Sequence, residues 1–193
     1  MKTRPDTTRV YVALLRGINV GGANLVSMTS LKESFERIGF EDVRSYINSG
    51  NVLFRAGDED PAALEQRIDG MLARSHRLPV KTVVRNEPEM ARVVKTITAA
   101  WKPDPQWKCN VIFLRRHLDA RRVLAEATLD SDIERAVACP GTLVWSARIK
   151  SLSRTAMMAF ARSPLYQEAT VRSVATTTTI LQLMREKASN RPM

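Results

Sequence analysis

Residues 101–108, with the sequence WKPDPQWK, constrain the fold of this chain more than any other segment. Two prolines interrupt every helical or strand period there, so the segment predicts a linker over residues 99–108. Before the linker, apolar patterns predict the element order β-α-β-β-α-β-α, and after it the same order begins again. Each half has roughly 90 residues, which is long enough for one small domain.

The predicted elements follow one order in both halves. In the first half, strands are predicted at Arg9–Arg16, Asp42–Ile47, Val52–Arg55 and Lys81–Arg85, with helices opening near Met28, Asp60 and Asn86. In the second half, strands are predicted at Cys109–Arg115, Ile133–Cys139, Thr142–Ala147 and Thr170–Val174, with helices around Val123, Phe160 and Leu181. The order β-α-β-β-α-β is that of the split-βαβ, ferredoxin-like unit. We therefore predict an α+β chain of two ferredoxin-like units over residues 9–98 and 109–189, each a four-stranded antiparallel sheet with helices.

Some ferredoxin-like sheets bind RNA by stacking bases on exposed aromatic side chains of the two central strands. Here Tyr11 and Phe54 occupy such strands, but both strands are apolar on both faces. A sheet that is covered on both sides leaves no open platform, so this mode of RNA binding is not expected. We expect the second face to be buried by the other half or by a trailing helix.

The charge is strongly positive, with 30 Lys and Arg against 20 Asp and Glu and a net charge of +10. Residues 1–98 carry 15 basic and 12 acidic side chains, whereas residues 99–193 carry 15 and 8. This excess favours phosphate-bearing partners or an acidic surface. The alternative is a solvated arginine-rich surface, because the positive residues occur as scattered pairs rather than as one long block.

Cysteine and histidine usage argues against metal or nucleophilic chemistry. Cys109 and Cys139 lack the close Cys or His neighbours of a zinc site, so we expect two buried free thiols, no metal and no cofactor. His76 and His117 are both isolated, which gives a Ser-His-Asp or Cys-His hydrolase little support. The residues therefore identify no catalytic group.

The apolar run Val10–Ile18 contains Arg16 and is typical of a strand rather than of a signal peptide. No window reaches the ~18 uninterrupted apolar residues of a membrane span. We therefore expect a cytoplasmic protein with no membrane partner.

The loop 17–24 (GINVGGAN) lies between the first strand and the first helix. Gly17 and Gly22 have the spacing of the outer glycines of a P-loop, but Ala23 and Asn24 replace the Lys and Ser or Thr, which excludes Walker-type nucleotide binding. Backbone N–H groups near a helix start, with polar neighbours including Arg16, suit an anion. Alternatively, the glycines only allow a tight strand-to-helix crossing.

Topology predicts that this loop meets the turn 48–51 (NSGN). In a β-α-β-β unit the first strand runs antiparallel to the third, so the loop leaving the first emerges beside the turn entering the third. The predicted ligand-binding residues are Arg16, Asn19, Asn24, Asn48, Ser49 and Asn51. The alternative is that the Asn side chains only satisfy backbone groups of the two turns.

A second basic cluster is predicted late in the chain, from RIKSLSR and TVRS. It consists of Arg148, Lys150, Arg154 and Arg172, with Ser hydroxyls nearby that could help to hold a phosphate. A solvated basic face with Ser as a helix cap is the alternative.

The segments YVALLRGINVGG and GFEDVRSYINSGNVLF, together with Met28 and the late TVRS, resemble the bacterial domain-of-unknown-function 1697 family. The resemblance implies a two-part α/β-plait architecture and no particular activity. Two positions depart from the family pattern: Leu25 stands where Lys is common, and Arg172-Ser173-Val174 where Arg-Asn-Trp is common.

The sequence favours a protein that binds a phosphate-bearing ligand, either a nucleotide or a nucleic acid, through the Gly/Asn loop and the basic surface. A cofactor-independent enzyme acting on a small anionic substrate and a protein-interaction module remain the alternatives. Salt separates nucleic-acid binding from the enzyme alternative, because nucleic-acid affinity falls steeply with rising salt and small-ligand binding changes much less. A protein-interaction module predicts co-purification of an acidic protein.

Overall fold

The computed structural model describes residues 8–19, 25–48 and 50–189. They form two compact units. The first, unit 1, consists of the described residues up to Glu87 together with those from Ile180 onward, and unit 2 runs from Pro88 to Thr179.

Unit 1 contains one four-stranded antiparallel sheet in the order β2-β3-β1-β4. Its elements are β1 (Arg9–Leu15), α1 (Met28–Arg37), β2 (Glu41–Tyr46), β3 (Asn51–Ala56), α2 (Pro61–His76) and β4 (Thr82–Asn86). Helix α3 (Glu87–Ala100) follows directly.

Unit 2 contains a second sheet in the equivalent order β6-β7-β5-β8. Its elements are β5 (Trp107–Leu114), α4 (Ala120–Ala125), β6 (Glu134–Cys139), β7 (Thr142–Arg148), a 3₁₀ segment at Ile149–Arg154, α5 (Ala156–Arg162), a 3₁₀ segment at Pro164–Glu168 and β8 (Ala169–Ser173). Helix α6 (Val174–Ser189) closes the described chain. Both sheets have the β-α-β-β-α-β connectivity of a ferredoxin-like unit, and the predicted fold class is confirmed.

The trailing helices group differently from the predicted boundaries. Helix α3 belongs to unit 2 from Pro88 onward, and α6 belongs to unit 1 from Ile180 onward. The predicted boundaries keep each trailing helix with the sheet before it, at residues 9–98 and 109–189. They remain a prediction about which segments fold together. Because α3 ends at Ala100 and β5 begins at Trp107, residues 101–106 form the connection.

The strand registers align the two halves residue by residue. Val12 pairs with Leu53 on one side and Arg85 on the other. Val111 likewise lies between Val144 and Arg172. Val12 therefore corresponds to Val111, and Arg85 to Arg172. The sequence alone predicts only the shared topology.

The core of unit 1 fills the face of the sheet under α1 and α2. The ring of Phe54 lies 5.6 Å from that of Tyr11 and 4.3 Å from that of Phe40, measured between centroids. Tyr11 and Phe54 are only 1% and 0% exposed. Neither aromatic side chain is available for base stacking, as expected.

The opposite face of this sheet is covered in part by α6. The Arg55 guanidinium is buried and donates a hydrogen bond to the Lys187 carbonyl. The Lys187 ammonium in turn pairs with Asp42, in the bulged region of β2. Arg55 can therefore be buried under the trailing helix, because the end of that helix supplies an acceptor for its guanidinium.

Within the described ranges, no helix combines the length and apolar character needed to cross a membrane. The same residues contain no group of three or more His, Cys, Asp or Glu side chains arranged to hold a metal ion.

Candidate functional site

The end of β1 lies against the turn between β2 and β3. The backbone N–H of Leu15 donates to the Gly50 carbonyl at 2.8 Å, and Leu14 pairs with Asn51. The loop after β1 therefore emerges beside this turn, as the antiparallel topology predicts. We call the residues 16–19 and the described part of the turn 47–51 the loop–turn edge of unit 1.

Gly50 allows this close approach. Its φ is +78°, in the region that side-chain-bearing residues rarely adopt. A Cβ at this position would lie 2.9 Å from Ile18 Cγ1 and 3.1 Å from the Leu15 carbonyl oxygen. Glycine at position 50 is thus required both by the backbone conformation and by the packing of the loop.

Arg16 is positioned by a third strand. Its backbone N–H donates to the Lys81 carbonyl at 3.1 Å, immediately before β4 begins. The two cationic residues Arg16 and Lys81 are therefore backbone neighbours, which places Lys81 beside the loop–turn edge, with Arg16 half-buried and Lys81 exposed. The sequence prediction did not include Lys81. The sequence could have indicated Lys81, because β4 is antiparallel to β1 and must start where β1 ends.

Two of the predicted Asn side chains are engaged by backbone groups. Asn19, with φ +53°, accepts from the Val26 N–H at 2.8 Å and donates to the Val26 carbonyl at 3.0 Å. The fully buried Asn51 donates to the Tyr46 carbonyl at 3.1 Å. These contacts match the alternative interpretation, in which the amides hold the loop and the turn.

The remaining predicted residues differ in their accessibility. Asn48 is exposed at the tip of the turn. Asn24 and Ser49 lie outside the described residues.

The loop–turn edge also exposes an apolar side chain in a strained conformation. Ile47 has φ +50° and is 50% exposed, although a β-branched residue is disfavoured there. Leu25, next to the residue that Asn19 holds, is 73% exposed. Large apolar groups therefore lie next to the polar residues of this surface.

Two members of the predicted second basic cluster, Arg148 and Arg172, lie apart in the sheet of unit 2. Arg148 donates to the Asp132 carbonyl at 3.0 Å and lies over the Trp107 ring, 5.3 Å from its centroid. Arg148 and Arg172 pair with opposite sides of β5, at Trp107 and Val111. Four strand residues separate these positions by roughly 13 Å.

Arg172 is buried rather than presented to a ligand. Its guanidinium donates to the Thr170 hydroxyl at 2.7 Å and to the Val171 carbonyl at 2.9 Å. Burial lowers the pKa of Arg172 to about 10. Lys150 and Arg154 are exposed on the 3₁₀ segment after β7.

The two cysteines have different environments. Cys109 is buried as expected, and burial raises the pKa of its thiol to about 11. Cys139 is half-exposed at the end of β6, which corrects the prediction of two buried thiols. Cys139 is the last residue of β6 and directly precedes the Pro140-Gly141 turn.

A solved structure of a bacterial protein has the same architecture. The conserved bacterial protein SP0830 from Streptococcus pneumoniae is 27% identical, with a TM-score of 0.78 over 92% of this chain and 99% of that chain. An unknown protein from Galdieria sulphuraria is 13% identical over 86% of this chain and 96% of that chain, with a TM-score of 0.26. No curated protein matches the chain.

A family model described as "Protein of unknown function (DUF1697)" matches residues 8–145. The match covers most of the chain and includes the loop–turn edge of unit 1. The chain therefore belongs to the DUF1697 family.

Proposed function

We propose that this protein binds a phosphate-bearing ligand, a nucleotide or a nucleic acid, at the loop–turn edge of unit 1. The observation that carries the proposal is the hydrogen bond from the Leu15 N–H to the Gly50 carbonyl. That bond brings the loop containing Arg16 beside the turn containing Asn48, and the adjoining bond to the Lys81 carbonyl adds a second cation.

The chemistry of this edge suits an organic phosphate. Arg and Lys form charge-assisted hydrogen bonds with phosphate oxygens, and the Asn48 amide can both donate and accept. The exposed Ile47 supplies apolar surface for a base or a sugar. The net charge of +10 adds a long-range attraction for polyanions.

The experiment measures binding of fluorescein-labelled single-stranded RNA and of a fluorescent ATP analogue by anisotropy. We expect Arg16→Ala and Lys81→Ala each to raise the dissociation constant of the probe about tenfold, because each substitution removes one charge-assisted contact. Arg9→Ala is the matched control. It removes the same charge at the other end of β1, seven residues and roughly 23 Å away, where Arg9 makes only an exposed ion pair with Asp58.

A salt series separates the two ligand classes. RNA engaging six or more phosphates loses affinity by roughly 10³-fold between 50 and 200 mM salt, whereas a nucleotide in a local site loses far less. The proposal is wrong if folded Arg16→Ala and Lys81→Ala proteins bind both probes as tightly as Arg9→Ala.

A further inference from the structure

Unit 2 repeats the backbone junction of the loop–turn edge. The Leu114 N–H donates to the Gly141 carbonyl at 2.9 Å, as Leu15 does to Gly50. The Arg115 N–H donates to the Glu168 carbonyl at 3.1 Å, as Arg16 does to Lys81. The loop after β5 therefore lies beside the β6–β7 turn.

A cavity of about 430 Å³ lies between this loop and this turn. Its volume falls within the range of small-molecule sites. Residues 116–121 form one wall and residues 139–141 form the other. Two arginines and one histidine belong to the first wall, while Leu118 and Pro140 provide apolar surface.

One of the arginines is held in place. The Arg116 guanidinium makes two hydrogen bonds to the Glu89 carboxylate, at 2.6 and 2.7 Å. This two-point contact fixes the orientation of the planar guanidinium. Glu89 thus orients Arg116 at the wall of the cavity.

The other charged or titratable side chains of the cavity wall differ in the hydrogen bonds and ion pairs that they make. The Asp119 carboxylate accepts from the backbone N–H groups of Arg121 and Arg122, at 2.7 and 3.1 Å, which lowers the pKa of Asp119. These bonds satisfy the one carboxylate in the cavity wall. Arg121 and His117 are exposed, and neither side chain makes a hydrogen bond or ion pair with another described residue.

We propose that this cavity of unit 2 binds a small organic phosphate ester, with Arg121 and Arg116 on the phosphate and Leu118 and Pro140 against the organic part. The inference is independent of the proposed function, because it uses residues of the other unit. The cavity takes its cations from the loop after β5 and from the start of α4, whereas the proposed site of unit 1 takes its cations from residues 16 and 81.

Cys139 gives a direct readout, because it lines the cavity and is half-exposed. The other thiol, Cys109, is buried with a pKa of about 11, so an alkylating reagent at neutral pH reacts with it slowly. The rate of iodoacetamide modification at Cys139, followed by peptide mass spectrometry on the full chain, therefore reports occupancy of the cavity.

The experiment compares AMP with adenosine, which lacks the phosphate. We expect AMP to slow the alkylation of Cys139 in a saturable manner and adenosine to leave it unchanged. Arg121→Ala should raise the AMP concentration for half-protection about tenfold. Arg122→Ala, which removes the same charge from the next position of α4 outside the cavity wall, should leave it unchanged.

Three results would overturn the inference: no protection by AMP, equal protection by adenosine, or equal loss in the Arg121→Ala and Arg122→Ala proteins. The last would mean that net charge alone is responsible. Arg16→Ala and Lys81→Ala should not affect protection of Cys139, so failure here and failure of the proposed function are distinguished.

Discussion

Glu65 on α2 accepts a hydrogen bond from the backbone N–H of Val84, at 3.1 Å, on the last strand of the first sheet. One helical turn later, Asp69 accepts from the Thr82 N–H at 2.9 Å. Since β4 has a strand neighbour on one side only, its outer N–H groups need such acceptors. Two carboxylates at i and i+4 on one helix therefore close the open edge of the sheet.

Glu65 also lies 3.8 Å from Arg85, and both side chains are at most 2% exposed. We expect Glu65→Ala to lower the free energy of unfolding by about 3–5 kcal/mol, because it leaves a buried charge without its partner. Asp69→Ala removes one backbone acceptor from a less buried place and should cost about 1–3 kcal/mol. Urea unfolding followed by circular dichroism measures both, and equal losses would contradict the buried-pair explanation.

Gly50→Ala should destabilise unit 1, because φ is +78° and the new Cβ would lie 3.1 Å from the Leu15 carbonyl oxygen. We expect a cost of about 1–3 kcal/mol. Gly57→Ala is the matched control, since nothing lies within 4 Å of a Cβ there. Differential scanning calorimetry of both variants should show a lower Tm for Gly50→Ala alone.

His76 makes the stability of unit 1 depend on pH. Its Nε2 lies 2.9 Å from the Oγ of Ser34, to which Arg37 also donates. Burial, and then the positive charge of Arg37, lower the pKa of His76. The unfolded chain therefore binds a proton at this histidine more readily than the folded chain. The contribution of neutral His76 to the free energy of unfolding is complete above the unfolded pKa of about 6.5, and it is lost as the pH falls through the lower pKa of the folded state.

The measurement is the free energy of unfolding at about pH 7.5 and at about pH 5. His76→Gln should show a smaller loss between these two values than the native chain. His117→Gln, at an exposed histidine, should behave like the native chain. Identical pH dependence in all three proteins would show that carboxylates, and not His76, set the acid sensitivity.

Unit 2 also contains a buried carboxylate, that of Glu134 at the start of β6. It is 1% exposed and accepts from the Trp145 indole N–H and the Ala156 backbone N–H, both at 2.8 Å. Glu134→Ala leaves these buried donors without an acceptor and should cost about 2–5 kcal/mol. Glu134→Gln keeps one acceptor oxygen and should cost less. Chemical unfolding monitored by tryptophan fluorescence measures both losses. A larger loss for Glu134→Gln than for Glu134→Ala would contradict the hydrogen-bond explanation.

The order of elements and the meeting of the loop with the turn could be predicted from the sequence, because both follow from local periodicity and from antiparallel connectivity. A strand such as Arg9–Leu15 is identified by its own apolar run. The turn containing Gly50 is identified by its own residues. Once the order β-α-β-β is known, the end of the first strand has only one neighbouring turn.

The partners of polar side chains were decided by the tertiary structure. Asn19 and Asn51 are of a residue type that often lines ligand sites. Their amides instead make hydrogen bonds with backbone groups of Val26 and Tyr46. Arg172 has the sequence context of a surface cation but lies buried in the sheet. A polar side chain has similar local preferences in either environment, and only long-range packing determines whether water or a buried carbonyl receives its hydrogen bonds.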